Sequence, residues 1–177
     1  MVCFNNKSQR FIFENEDSFE EEEIEEFLSK FSKNELKPNY KSEAEPKDNS
    51  NKLIKIIIGK TIESFLEQNE SKDVLIYFYS NRNCEKCADF EIIYSNLASH
   101  YVKNTNIIFG KFNLDVNEFP RVFDIKKVPA LFIRRSNTTE PTLLEYNEKS
   151  TLNDYISLID GPKMEAEVES TANKEEL

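Results

Sequence analysis

Residues 74–87 read VLIYFYSNRNCEKC. Residues 74–80 form an unbroken apolar and aromatic run with no charge in it. A strand of that kind is covered on both faces of its sheet, because a half-solvated strand would alternate apolar with polar. After it come three polar residues and then Cys84 and Cys87. Downstream, Phe90, Ile93, Tyr94, Leu97 and Tyr101 recur at helical spacing, which predicts a helix over 84–101. The stretch is therefore strand, turn, helix, with two thiols at the turn.

Position gives those thiols chemistry. If Cys84 opens the helix, free backbone N–H groups and the helix dipole stabilise an anion there. A thiolate is such an anion, so the thiol of Cys84 is expected below its ordinary pKa. A low-pKa thiol on a turn attacks disulfides. Cys87 sits one turn on, within reach of a mixed disulfide and more shielded. Between them, Lys86 adds positive and Glu85 negative potential. Two other readings stay open. Structural zinc needs about four ligands, and the only other thiol and imidazole are Cys3 and His100. His100 lies near the far end of the same helix, well over ~15 Å from Cys84 at about 1.5 Å per residue. Inert buried thiols are the remaining alternative. His100 itself reads as a cation at a helix C-terminus.

Working outward, residues 52–162 form one unit. Strands are expected at 53–58, 106–114 and 129–135, a short helix at 61–68 and another at 118–125. An edge hairpin strand is expected at 142–147. A last helix over 151–159 places Leu152, Tyr155, Ile156 and Ile159 on one side. The order β-α-β-α-β-α-β-β-α is an α/β pattern. Pro129 stands directly before an apolar strand, where a missing N–H needs a reason; a cis Val128–Pro129 bond would turn the chain there.

Residues 1–36 are of another kind. MVCF and FIF read as a small hairpin, followed by an acidic run over 14–26. Ile24, Phe27, Leu28 and Phe31 make an apolar stripe on a helix. Ser18 is expected to cap it, with Glu21 at the third helical position. The acidic residues there read as a solvated face suited to the positive end of the helix dipole. Residues 37–51 hold two prolines and no periodicity, and form a linker or an ordered crossing segment. Residues 163–177 have no core-forming pattern and read as a disordered acidic tail.

Composition narrows the function. The 177 residues carry 33 acidic and 23 basic side chains, a net charge of −10. Nucleic-acid binding needs a basic face, and none is expected here. Three glycines leave no glycine-rich phosphate loop. No apolar run approaches the roughly 20 residues that span a bilayer. Residues 1–10 have no signal-peptide core. The chain ends KEEL, residues 174–177, one acidic exchange from the endoplasmic-reticulum retrieval signal Lys-Asp-Glu-Leu.

Taken together, the chain resembles the C-terminal part of the protein disulfide isomerases. DVLIYFYSNRNCEKC resembles the family's strand and active-site turn, usually Phe-Tyr-Ala-Pro-Trp-Cys-Gly-His-Cys. NIIFGKFNLD resembles its next strand, VPALF its cis-proline turn, and YNEKSTLNDYISLI its final hairpin and helix. Residues 11–40 resemble the end of the preceding non-catalytic domain and a connector. The resemblance implies a thioredoxin-like fold, a central mixed sheet with helices on both faces. It implies Cys84 as the attacking and Cys87 as the resolving cysteine. Pro129 would be the cis-proline facing them, and Val128 would offer backbone groups to a bound peptide, beside Asn83.

Departures are visible. Glu85 and Lys86 replace Gly-His, and Asn83 replaces the Trp before the first cysteine. Tyr77 stands at the place of a buried proton-relaying Glu, and Glu91 at that of a proline. Ser150 stands at the place of a mobile Arg, with Lys149 beside it as a substitute. The implied activity is thiol–disulfide exchange on unfolded or partly folded secretory proteins in the endoplasmic reticulum, with glutathione or an oxidase resetting the pair. A retrieval receptor would bind residues 174–177. No cofactor or metal is implied. The alternatives are a redox-weak, chaperone-like client binder and a thioredoxin-like reductase.

Overall fold

A computed structural model describes residues 1–6, 9–13 and 20–161. The apolar run becomes β4, Asp73–Tyr79, at the centre of a five-stranded sheet. Its neighbours are β5 (Ile107–Asn113), which is parallel, and β6 (Ala130–Arg134), which is antiparallel. Beyond them lie β3 (Ile54–Ile57), parallel to β5, and β7 (Thr142–Leu144), antiparallel to β6. The strand order is β3-β5-β4-β6-β7, a mixed sheet.

Pleating sends alternate side chains of β4 to opposite faces. Leu75 and Tyr77 enter one apolar cluster, Val74, Ile76 and Phe78 the other. The first cluster is closed by Phe90, Tyr94 and Leu97 of α3 (Cys87–His100) and by Tyr155 and Ile159 of α4 (Leu152–Asp160). The second is closed by Ile62 of α2 (Ile62–Gln68) and by Phe123. Phe78 meets four rings there: Phe112, Phe119, Phe123 and Phe132, with centroids 4.9–5.8 Å away. Two covered faces are what an uninterrupted apolar strand requires. Among the described residues, no helix is long and apolar enough to cross a membrane.

The expected helix at 118–125 does not form; the segment is turn and irregular chain. Pro120 disfavours helical backbone at Phe119. Phe119, Phe123 and Ile125 all turn toward the second cluster, while Phe123 N–H bonds back to Pro120 O at 3.1 Å. Burial is met without helical spacing.

The first 36 residues contain a hairpin, β1 (Val2–Phe4) with β2 (Arg10–Ile12), and a helix, α1 (Glu21–Ser32). Rings join them: Phe11 to Phe31 at 5.2 Å and Phe13 to Phe27 at 5.4 Å. Of the expected stripe only Phe27 is buried, and Leu28 is exposed. Glu20 is the N-cap of α1, so Glu21 is its first helical residue and not its third; Ser18 lies outside the described residues, as do Pro162 and the tail with its residues 174–177.

Residues 37–51 are an ordered crossing segment, held by side chains of distant elements. Asn39 Oδ1 accepts from Ile12 N–H at 2.8 Å. Glu118 Oε2 accepts from Lys41 N–H at 2.8 Å, and Glu118 N–H donates to Lys41 O at the same distance. Asn117, buried, is the central tie. Its Oδ1 accepts from the N–H groups of Glu43 (2.9 Å) and Gly59 (3.0 Å), and its Nδ2 donates to Glu43 Oε1 (2.7 Å) and Asn113 O (3.0 Å). At Gly59 the Lys41 carbonyl lies where a Cβ would be, so only glycine lets the segment approach.

Candidate active site

β4 delivers the chain to the cysteines. After Tyr79, Ser80 turns inward at 7% exposure, residues 81–83 bend over the surface, and Cys84, Glu85 and Lys86 form a turn. Cys84 and Cys87 form a disulfide with Cα atoms 5.4 Å apart. Helix α3 begins at Cys87, with Lys86 as its N-cap. The expectation that Cys84 opens the helix is corrected by three residues. Cys84 precedes the helix, and the N–H of Cys87, its first residue, donates back to the Cys84 carbonyl at 3.4 Å. The two sulfurs also differ in access: Cys84 is half-buried, while Cys87 is 6% exposed.

Beneath the disulfide lies an aromatic floor. Tyr77 is fully buried and donates its hydroxyl to the Cys87 carbonyl at 2.9 Å. Its ring contacts Phe90 at 5.1 Å, Tyr94 at 5.3 Å and Tyr79 at 5.5 Å. Burial pushes the Tyr77 phenol far above its ordinary pKa, and the Glu91 carboxylate pushes it further. The residue is thus a fixed hydrogen-bond donor in the neutral range.

Val128 and Cys84 both pack against the cluster that contains Cys87. The Val128–Pro129 bond is cis. The β4–β6 register pairs Phe78 with Ala130, which places buried Pro129 beside the strand end from which the cysteine turn emerges. Asn83 is exposed next to Cys84. Lys86 reaches Glu148 at 3.6 Å, and Lys149 is exposed one residue further along the same loop. Cys84, Cys87, Tyr77 and Val128 are therefore brought around one cluster. Asn83, Glu85, Lys86 and Lys149 stay in solvent. His100 is exposed at the distal end of α3, its ring against Tyr101. Among the described residues no group of three or more His, Cys, Asp or Glu is placed to hold a metal. Cys3, in β1, is a free, half-buried thiol.

Two contacts of charged residues were not read from the sequence, where Glu91 figures only at the place of a proline. Glu91 is one helical turn below Cys87, an i, i+4 pair that shares a helix face. It receives Lys111 Nζ at 2.6 Å, and that ammonium lies 5.6 Å from the Tyr79 ring centroid. The i, i+4 spacing was readable; the partner from β5 was not. Likewise Asp115, just past β5, accepts hydrogen bonds from Ser80 and Asn81.

A mixed five-stranded sheet with a closely spaced disulfide between its central strand and the following helix defines a class of redox protein. The thioredoxin family profile matches residues 53–158, and the chain belongs to that family. Its curated relatives include protein disulfide-isomerases. It is 33% identical over 119 residues to human protein disulfide-isomerase A4, covering 67% of this chain and 18% of that protein. It is 30% identical over 163 residues to the Drosophila melanogaster protein disulfide-isomerase, covering 90% of this chain and 32% of that one. The chain thus spans between about a sixth and a third of the length of the curated relatives described. Among solved structures, the first thioredoxin domain of mouse protein disulfide-isomerase A4 aligns with TM-score 0.48 and 17% identity, over 75% of this chain and 95% of that one.

Proposed function

We propose that the chain is a thiol–disulfide oxidoreductase and isomerase of the protein disulfide isomerase type, acting on folding secretory proteins through Cys84 and Cys87. The observation that carries this reading is the unequal access of the two sulfurs, Cys84 half-buried and Cys87 6% exposed. In the reduced pair, Cys84 thiolate attacks one sulfur of a substrate disulfide, forms a mixed disulfide and expels one substrate thiolate. Cys87 thiolate then attacks Cys84 Sγ, closes the Cys84–Cys87 disulfide and expels the second substrate thiolate. Two electrons pass to the substrate. Run backward, the oxidised pair takes two electrons from a substrate dithiol. Isomerisation is attack and departure by Cys84 alone, with closure by Cys87 as the exit. Two glutathione thiols return the pair to the dithiol; an oxidase returns it to the disulfide.

Asn83 precedes Cys84 and Val128 packs against the cluster that holds Cys87; with Pro129 they would hold the substrate chain. Glu85, Lys86, Tyr77 and Lys149 modulate the exchange. The work is placed in the endoplasmic reticulum, with residues 174–177 as the retrieval signal read by its receptor. Residues 1–36 are the end of a neighbouring non-catalytic domain, and 37–51 the connector. One observation favours a second reading, a client-binding protein with slow redox chemistry. The buried side chain bonded to the Cys87 backbone is a phenol whose proton is committed to that carbonyl, and a phenol is a poor base near neutral pH.

The deciding experiment is a glutathione redox titration of the pair, acid-quenched and read by mass spectrometry, with turnover of a peptide disulfide by wild type and Cys84→Ser. A two-electron transition near about −180 to −210 mV, with activity lost in Cys84→Ser, supports the isomerase. Equal turnover in both proteins removes it and leaves the binding role.

A further inference from the structure

The turn that presents Cys84 contains neither proline nor glycine: residues 80–83 are Ser, Asn, Arg, Asn. Nothing in its covalent structure restricts φ, so hydrogen bonds must offset the entropy of holding one shape. A single carboxylate from another strand organises them. Asp115 lies two residues past β5, its N–H held by Asn113 Oδ1 at 3.0 Å. Its Oδ1 accepts the Ser80 hydroxyl at 2.7 Å and its Oδ2 accepts Asn81 N–H at 2.7 Å. Having donated its proton, the Ser80 oxygen accepts the N–H groups of Arg82 (3.2 Å) and Asn83 (3.0 Å). Donation to a carboxylate polarises that oxygen and makes it a stronger acceptor. The chain of bonds ends on the residue before Cys84. The Ser80 hydroxyl above all holds the Asp115 carboxyl below its ordinary range; burial opposes it, and Asn81 N–H and Arg82 assist.

We propose that Asp115 and Ser80 are positioning residues for the disulfide centre, a carboxylate–hydroxyl clamp that fixes the 80–83 turn and so the approach of the Cys84 sulfur to a bound disulfide. This rests on the exchange reaction proposed above. The clamp acts on orientation and not on the thiol's acidity. It therefore governs a reaction in which the sulfur must line up with a docked S–S bond, and leaves attack on a small free alkylating agent alone.

The test uses the full chain and the variants Ser80→Ala and Asp115→Asn, with thermal unfolding to show that each folds. Amide hydrogen exchange is read at Arg82 and Asn83, kcat/KM on a glutathionylated peptide, and the rate and pH profile of Cys84 alkylation by iodoacetamide. The expected result has three parts. Exchange at both amides quickens in Ser80→Ala. In that variant kcat/KM falls roughly tenfold, as small misplacements of reacting groups do, and the alkylation profile stays within twofold of wild type. Asp115→Asn, whose amide oxygen still accepts, falls between the two and serves if Ser80→Ala does not fold. Turnover unchanged in a folded variant overturns the proposal, and so does an alkylation rate that falls in parallel with turnover. If wild type itself transfers no disulfide, the exchange reaction fails and the clamp has no reaction to position; if wild type turns over and the variants match it, the clamp alone fails.

Discussion

At the scale of single residues, the site depends on what each polar atom is bonded to. Cys84 and Cys87 are chemically identical; depth separates them, and depth comes from the helix starting at the second. Tyr77 shows the same logic. Its side chain stands beneath the disulfide, and its hydroxyl holds the Cys87 carbonyl, tying the first turn of α3 to β4. Tyr77→Phe keeps the ring contacts and removes that bond. It should cost about 1 kcal/mol of unfolding free energy, the usual net value of one intramolecular hydrogen bond. Urea unfolding of oxidised wild type and variant measures it. A loss within ~0.3 kcal/mol of zero would mean that the bond adds nothing.

At the scale of elements, helix ends and strand faces carry the fold. Helix α4 is closed at its start by a capping box: Asp154 Oδ2 accepts from Thr151 N–H at 2.6 Å and from the Thr151 hydroxyl at 2.8 Å. The backbone bond first, then the hydroxyl, hold the Asp154 carboxyl below its ordinary value of 3.8. A carboxyl depressed in the folded state stabilises fully above its ordinary pKa and loses that stabilisation as pH falls through the folded pKa. Asp154→Ala should therefore lower the urea midpoint at pH 6 or 7, and the gap to wild type should narrow below about pH 4. Midpoints at pH 6 and pH 3 check it; a gap that stays constant or widens in acid contradicts the assignment.

At the scale of the whole molecule, one buried amide joins the N-terminal third to the sheet. Asn117 makes four hydrogen bonds to the crossing segment, to Gly59 after β3 and to the end of β5. Asn117→Ala leaves the N–H groups of Glu43 and Gly59 without their acceptor. The buried Gly59 donor costs about 1–3 kcal/mol when unsatisfied and the part-buried Glu43 donor less, so a total loss of roughly 1–4 kcal/mol is expected. Amide exchange should quicken along residues 39–43 as the segment lifts, while the exposure of Cys84 to alkylation in the reduced protein stays unchanged. Exchange along 39–43 at the wild-type rate would show that Glu118 and Asn39 hold the segment unaided.

Most of the sheet was legible without the structure. An uncharged strand, helical stripes at 90–101 and 152–159, and a cysteine pair at the turn between strand and helix are local patterns, and local periodicity sets which faces are apolar. The strand positions followed to within a residue or two, except that the edge strand expected at 142–147 ends at Leu144. Residues 118–125 misled because their apolar spacing imitates a helix, whereas Pro120 and the pull of the second cluster make a turn. The helix boundary at the cysteines misled because a turn and a first helical turn look alike in sequence. The clamp of Asp115 on Ser80, the pairing of Lys111 with Glu91 and the tie of Asn117 to Glu43 span 35, 20 and 74 residues. Which side chains meet across such distances depends on β5 lying beside β4 in one register, with β3 on its other edge. The sequence alone determined that this chain would bury a central strand and place a dithiol at its end. Only the tertiary structure decided which carboxylate, hydroxyl and amide hold that end in place, because those bonds exist only once the strands are aligned.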